Sequence, residues 1–466
     1  NGGRFGFIVS NSWLDVDYGK GLQEFFLNNY KIVAIIESKV ERWFEEADVN
    51  TCIVILEKCT NKKERDENLA RFVYLLKRLS YFIPPIKDMW QEQIERRDEI
   101  DKLIKTIMAH SDFYQNEELR ILPKSQTELW EEGFDKESGK YVGAKWGKYL
   151  RAPQIFFKIL EKGKGKLVPL KEVAEVKRGF TTGVNEFFYL TEEEIKRRGI
   201  EKEFWMHQDE EGNWVPNYVI KSPRECKSIV VKPEDLKYRV LMIHKDKKNL
   251  RGTNVLKYIQ EGESKGYHLR PTCASRERWY ELPRISGELL CMMSLNDRHI
   301  FWLNHDNYID ARFYGISLKS KQNEDSTVGS ILNSSFIPML TELYGRVNLG
   351  QGALDVKVYE YKTVPIIHPN KVSNLQVQNL AGILSKLSNR SIGSIFSELG
   401  ASSPEEVSLD KVKPDRRELD KIVMGEILGL TDEEQIEVCR AVVDLVKSRI
   451  ERAKSFGKMR KTKEGI

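Results

Sequence analysis

Gly2-Gly3-Arg4-Phe5-Gly6-Phe7-Ile8-Val9-Ser10-Asn11-Ser12-Trp13-Leu14 stands at the start of the chain. After an amphipathic run comes Trp43-Phe44-Glu45-Glu46-Ala47-Asp48-Val49-Asn50-Thr51-Cys52-Ile53-Val54-Ile55-Leu56. The Phe/Ile/Val-rich run at 4–9 predicts a strand, as do 32–36 and 51–56. Between the first two, 18–28 places Leu22, Phe25 and Phe26 at helical spacing. Strands alternating with a helix predict a mainly parallel α/β sheet. The first residue is Asn1, and a strand of buried type opens with no preceding unit to pair with. The expectation is therefore the C-terminal part of a larger protein.

Outward from this stretch, 61–68 is a charged break, 71–76 an expected edge strand and 90–109 a long charged helix. The Gly- and Lys-rich 135–148 has no apolar period and reads as a linker, followed by a helix at 153–162 and a second linker at 163–166. Residues 167–369 change character, with short alternating strands and frequent Gly, Pro and Asn. Strands are expected at 170–177, 187–190, 228–231, 240–243, 289–293 and 300–303. From 373 to 456 the pattern is helical, and Thr431-Asp432-Glu433-Glu434 is a capping box that opens the last helix. The fold class expected is a partial Rossmann-like α/β sheet, then a mixed α+β, β-rich domain, then a helical region, with domains at 1–150, 151–370 and 371–466.

Composition excludes several classes. With 40% hydrophobic and 31% charged residues and no apolar run near the ~20 residues of a membrane span, no membrane role is expected. Six cysteines lie scattered with no C-x-x-C pair, which reads as reduced, buried thiols in a cytoplasmic protein. The net charge of +5 is uneven: 447–466 carries +6 and 221–284 carries +8. A local +8 beside a near-neutral body suits either a polyanion-binding face or a solvated Lys-rich surface. The basic terminus reads as a frayed end rather than a second nucleic-acid contact.

Catalytic patterns are missing. The seven His are dispersed and no two stand at i, i+4. Glu45-Glu46 and Glu192-Glu193-Glu194 read as solvated helix starts, and Gly350-Gln351-Gly352 has no Lys-Ser/Thr after it, so it is no phosphate loop.

The opening stretch resembles the back half of the catalytic domain of gamma-class adenine-specific DNA methyltransferases. That family has Gly-Gly-x-x-x-Phe-Ile-Val-Pro, a small polar pair and Trp-Leu, then Phe-x-x-Ala-x-Val-x-Thr before another strand. Here these are Gly2 to Leu14, with Ser10 in place of the Pro, and Phe44 to Thr51. Leu170 to Asn185, containing Arg178-Gly179-Phe180-Thr181-Thr182-Gly183-Val184-Asn185, resembles the opening of a target recognition domain. Leu332-Asn333-Ser334-Ser335, Leu349 to Asp355 and Val364-Pro365-Ile366 resemble its close.

The resemblance implies transfer of a methyl group from S-adenosylmethionine to the adenine amino nitrogen, within a restriction–modification system. It also implies double-stranded DNA as partner and base flipping. The family's Phe-x-Gly-x-Gly donor loop and Asn/Asp-Pro-Pro-Tyr/Phe catalytic motif do not occur here; Pro84-Pro85 is flanked by Ile83 and Ile86. S-adenosylmethionine is thus expected in the parent enzyme and not on this chain alone, and the missing half on the same protein or another chain, with a nuclease as a further possible partner. One family role carries over, stacking on the flipped base by Phe44, against the alternative that Phe44 is ordinary core.

For DNA contact the candidates are Arg178, Thr181, Thr182 and Asn185 in one loop, Arg270, Arg276 and Trp279 in a second, and Arg346 and Asn348 in a third. For each, a surface charge or an internal hydrogen bond is the competing reading. The first two loops are expected to face the catalytic portion across a cleft. The alternative to the methylase portion is a non-catalytic DNA-specificity module serving a separate methyltransferase or nuclease. The presence of one recognition domain, where specificity subunits usually have two in tandem, favours the former. The chain alone is expected to transfer no methyl group to duplex DNA. Sequence-specific tritium incorporation from labelled S-adenosylmethionine would overturn that expectation.

Overall fold

The computed structural model describes residues 2–15, 18–41, 43–44, 50–85, 92–136, 138–209, 211–305, 307–320, 324–348 and 352–463. The chain divides into two compact units, Asn1–Gln154 and Ile155–Ile466.

The first unit is built on six strands: β1 Arg4–Ser10, β2 Tyr30–Ser38, β3 Thr51–Lys58, β4 Leu69–Leu75, β5 Tyr114–Gln115 and β6 Leu119–Ser125. Their order is β1-β3-β2-β4-β6-β5. The expectation of a mainly parallel sheet is corrected: β2 and β4 pair in parallel, whereas β1·β3, β2·β3, β4·β6 and β5·β6 are antiparallel. For β2 and β3 the cause is the link between them, which contains no helix among its described residues. Neighbouring parallel strands need a crossover, usually helical, while antiparallel neighbours can be joined directly. The crossover read from the sequence does exist. Helix α1, Gly19–Asn29, carries the chain from β1 to β2, and these two run the same way with β3 between them.

β4 is interior, paired on both sides, rather than the expected edge. Ala34, Ile36, Val73, Leu75 and Ile121 bury one sheet face with Ile107 of helix Glu92–Ala109. On the other face Trp146 meets Trp13 and Phe72 edge-on. Burial on both faces explains why β2 reads as a continuous apolar run. Part of 135–148, read as a linker, is ordered: Phe134–Asp135 pairs with Lys140–Tyr141, and Trp146 is fully buried.

The second unit is a mixture of short strands and helices. One four-stranded sheet has the order Ala174–Arg178, Phe313–Leu318, Leu289–Met292, Trp302–Leu303; another has Tyr189–Leu190, Tyr238–Val240, Tyr218–Ile220, Tyr308–Ile309. The strand expected over 170–177 begins only at Ala174, because Pro169 leads into a helical turn, Leu170–Val173. Helix Phe336–Tyr344 is buried almost all round and packs on the C-terminal helix Asp432–Lys463. That last helix starts at the expected box, with the Thr431 N–H donating to Glu434 and the Glu434 N–H to the Thr431 hydroxyl. No helix among the described residues is long and apolar enough to cross a membrane.

One buried carboxylate ties the helical region together. Glu398, 1% exposed, accepts two hydrogen bonds from Arg390 (2.7 and 2.8 Å), one from Lys413 (3.1 Å), one from Arg416 (3.2 Å) and one from the Gly393 N–H (3.0 Å). Arg416 also donates to the Asn333 carbonyl at 2.8 Å. Burial works to raise the Glu398 pKa, but Arg390, Arg416 and the Gly393 N–H outweigh it and hold the carboxyl well below its usual range. Removing one partner of a buried ion pair typically costs about 3–5 kcal/mol. Glu398→Ala is therefore expected to destabilise the second unit by about that much in urea unfolding at neutral pH. Because the folded pKa is depressed, this contribution is present above the unfolded value and fades as pH falls. The gap between parent and variant should thus narrow below about pH 4; a gap constant down to pH 3 contradicts the assignment.

Candidate nucleic-acid interface

The loop expected to face DNA leaves strand Ala174–Arg178 at Gly179. A Cβ at Gly179 would collide with the carbonyl oxygens of Ile309 and Asp310, so only glycine lets the two backbones approach this closely. Phe180 then bridges to Asp310 and is buried. At Gly183 φ is +78°, which turns the chain into the helical turn Asn185–Phe188. The Thr182 hydroxyl donates to the side-chain oxygen of Asn185, which is itself exposed.

Arg178, Thr181, Thr182, Asn185 and Arg270, five of the expected residues, line one pocket of about 810 Å³ within the second unit. Sequence reasoning missed Lys221, Tyr238, Asp310 and Arg312, which line it as well. Lys221 opens the basic stretch, so it had a compositional signal; nothing local marks the others. Asp310 is buried, accepting from the Tyr189 hydroxyl at 2.8 Å and from the Arg312 N–H at 3.2 Å. Burial, then the Asp310 charge and hydrogen bond, push the Tyr189 hydroxyl pKa far up, so it stays a neutral donor.

The remaining candidates sit elsewhere. Arg276 donates to the carbonyls of Thr182 (3.0 Å), Trp279 (3.2 Å) and Thr181, and burial lowers its pKa. It braces the first loop from behind. Trp279 is 7% exposed, packed against Phe187 with its indole N–H on Glu263 at 2.9 Å. Arg346 is held by the fully buried Glu360 at 2.8 Å and lies over the Tyr359 ring. The Asn348 backbone pairs with Ala353, and its side chain lies outside the described residues. In the first unit Phe44 is 46% exposed, while its neighbour Trp43 packs on the sheet core.

Among the described residues no group of three His, Cys, Asp or Glu could bind a metal, and all six cysteines are free and buried. After β1 the chain forms the turn Asn11–Leu14, in which Trp13 and Leu14 are buried.

Comparisons with known proteins give matches to two family models. The family described as "Type II methyltransferase M.Eco57I, C-terminal domain" matches residues 143–399, and that described as "Eco57I restriction-modification methylase" matches 1–44. "Type II methyltransferase M.AccI" of Acinetobacter calcoaceticus is 22% identical over 326 residues, 69% of this chain and 50% of that protein. The chain thus spans about half the length of this curated relative. Two solved structures are similar. The type IIG restriction endonuclease BpuSI has a TM-score of 0.47 at 12% identity, covering 97% of this chain and 48% of that one. The type IIL restriction-modification enzyme MmeI, solved in complex with DNA, has a TM-score of 0.46 at 13% identity, covering 97% and 50%.

The two aromatic candidates should respond oppositely to truncation. Trp279→Ala should cost about 3–5 kcal/mol of stability, as for a buried aromatic, whereas Phe44→Ala should cost under about 1 kcal/mol. Chemical denaturation of both variants decides; equal losses would show that Phe44 is core.

Proposed function

We propose that this chain, which belongs to the Type II methyltransferase M.Eco57I C-terminal-domain family, supplies DNA target recognition to an adenine-N6 methyltransferase of a restriction–modification system. The observation that carries the reading is the pocket at Arg178, Thr181, Thr182 and Asn185, which lies inside the matched segment. It gathers guanidinium, hydroxyl and amide groups on a braced loop, the groups that contact phosphates and base edges. Three of its cations, Arg178, Lys221 and Arg312, have no carboxylate partner among the described residues. S-adenosylmethionine belongs to the parent enzyme in this reading.

Phe44 serves as the platform for the flipped adenine. Its exposure supports this, since an aromatic held out of the core is available to stack, at typically about 1–3 kcal/mol per base. In this reading the recognition domain spans 151–370, ahead of a helical region at 371–466.

Fluorescence anisotropy with this chain and a mixed-sequence duplex tests the proposal. Log affinity should fall with log salt by roughly 0.9 per phosphate contact. Arg178→Ala and Arg312→Ala should each weaken binding. In the parent enzyme, 2-aminopurine at the target position should brighten on binding, and Phe44→Ala should alter that rise. Binding that is absent at low salt, or flat across salt, removes the DNA-recognition reading.

A further inference from the structure

The pocket's four basic side chains are not equivalent. Arg270 is neutralised by Glu186 at 2.9 Å. Arg178 is held by the Ala311 carbonyl at 3.1 Å and Arg312 by the Lys221 carbonyl at 3.4 Å. The Lys221 ammonium lies 4.6 Å from the Tyr238 ring centre and 5.9 Å from that of Tyr189, whose own hydroxyl is fixed by Asp310. An aromatic face attracts an ammonium without occupying it as a carboxylate would. Lys221 is thus placed while its ammonium has no carboxylate partner among the described residues, beside the Arg312 guanidinium, which likewise has none among them.

Lys and Arg side chains donate and never accept. A ligand edge suited to this corner must accept only. Of the major-groove edges, guanine presents two acceptors, N7 and O6, and no donor. Adenine mixes a donor with an acceptor, cytosine offers a donor, and thymine has one acceptor. A phosphodiester is likewise acceptor-only.

We propose that Lys221, with Arg312 beside it, is a DNA subsite for an acceptor-only edge, taken either from the major-groove face of a guanine or from a backbone phosphate. The proposal rests on the DNA-recognition reading of this pocket. Tyr189, Tyr238 and Asp310 act as positioning residues for the ammonium.

The test uses the full chain, a randomised duplex pool and anisotropy across a salt series, comparing the parent with Lys221→Met and Lys221→Arg. Met keeps an apolar stem over the rings and removes the charge; Arg keeps the charge. Retained circular dichroism and thermal unfolding qualify each variant, and Lys221→Gln replaces Met if Met fails to fold. If the source is guanine, one guanine selected by the parent becomes degenerate with Lys221→Met. Replacing that guanine by 7-deazaguanine should then weaken parent binding by about tenfold or more. If the source is phosphate, selection is unchanged, all sequences bind more weakly, and the salt slope falls by about 1. Lys221→Arg should retain most binding in either case. Lys221→Met binding with the parent's affinity, selection and slope overturns the proposal while leaving the DNA-recognition reading standing. A parent chain without salt-dependent duplex binding sinks both.

Discussion

The second unit depends on one buried carboxylate. Glu398 collects Arg390, Lys413 and Arg416 within hydrogen-bond distance, and Arg416 passes the connection to the Asn333 carbonyl at the end of helix Glu324–Leu332. Three cations around one carboxylate would be costly if any were left unpaired, so the elements that bear them must arrive together. Short strands of two to six residues cannot hold a domain by pairing alone. Here helices Asn374–Ser388 and Asp432–Lys463, packed on Glu324–Leu332 and Phe336–Tyr344, supply the burial that the strands do not.

On that frame the loop at 178–185 is held by contacts to its backbone and to one end of its Asn185 amide. Arg276 takes the carbonyls of Thr181 and Thr182, Gly179 presses against the backbone at Ile309 and Asp310, and Thr182 takes one end of the Asn185 amide. Each contact fixes backbone or one side-chain atom. Arg178, Lys221 and Arg312, with no carboxylate partner among the described residues, line the pocket beside it. Holding cations with carbonyls and rings, and not with carboxylates, keeps their charge available to an anionic partner.

The basic stretch 221–284 shows why net charge is a blunt guide. Part of its +8 faces carboxylates that lie outside the stretch. Arg239 meets Glu192, Lys245 meets Glu203 and Arg270 meets Glu186. Such pairs on a surface are worth little to stability, but each spends a positive charge that a count from sequence treats as free. Lys221, at the margin of the stretch, has no such partner among the described residues and lines the pocket.

What the sequence determined by itself was local and periodic. The strands of the opening stretch, the helix between β1 and β2, the capping box at Thr431 and the buried free thiols follow from apolar spacing, side-chain capping chemistry and cysteine usage. The loop at 178–185 was legible because glycines bracket a cluster of hydroxyl, amide and guanidinium groups. Tertiary structure alone decided the direction of strand pairing, which follows from how links close, and the interior place of β4. It also decided which of several similar arginines brace and which are open. Arg276 and Arg178 look alike in sequence, yet one closes on carbonyls 95 residues away and the other lines the pocket. Asp310 and Arg312 enter the site only because the bridge of Phe180 to Asp310 joins segments 130 positions apart. Local patterns carry no information about such contacts, because the energy that forms them comes from the packed core and not from neighbouring residues.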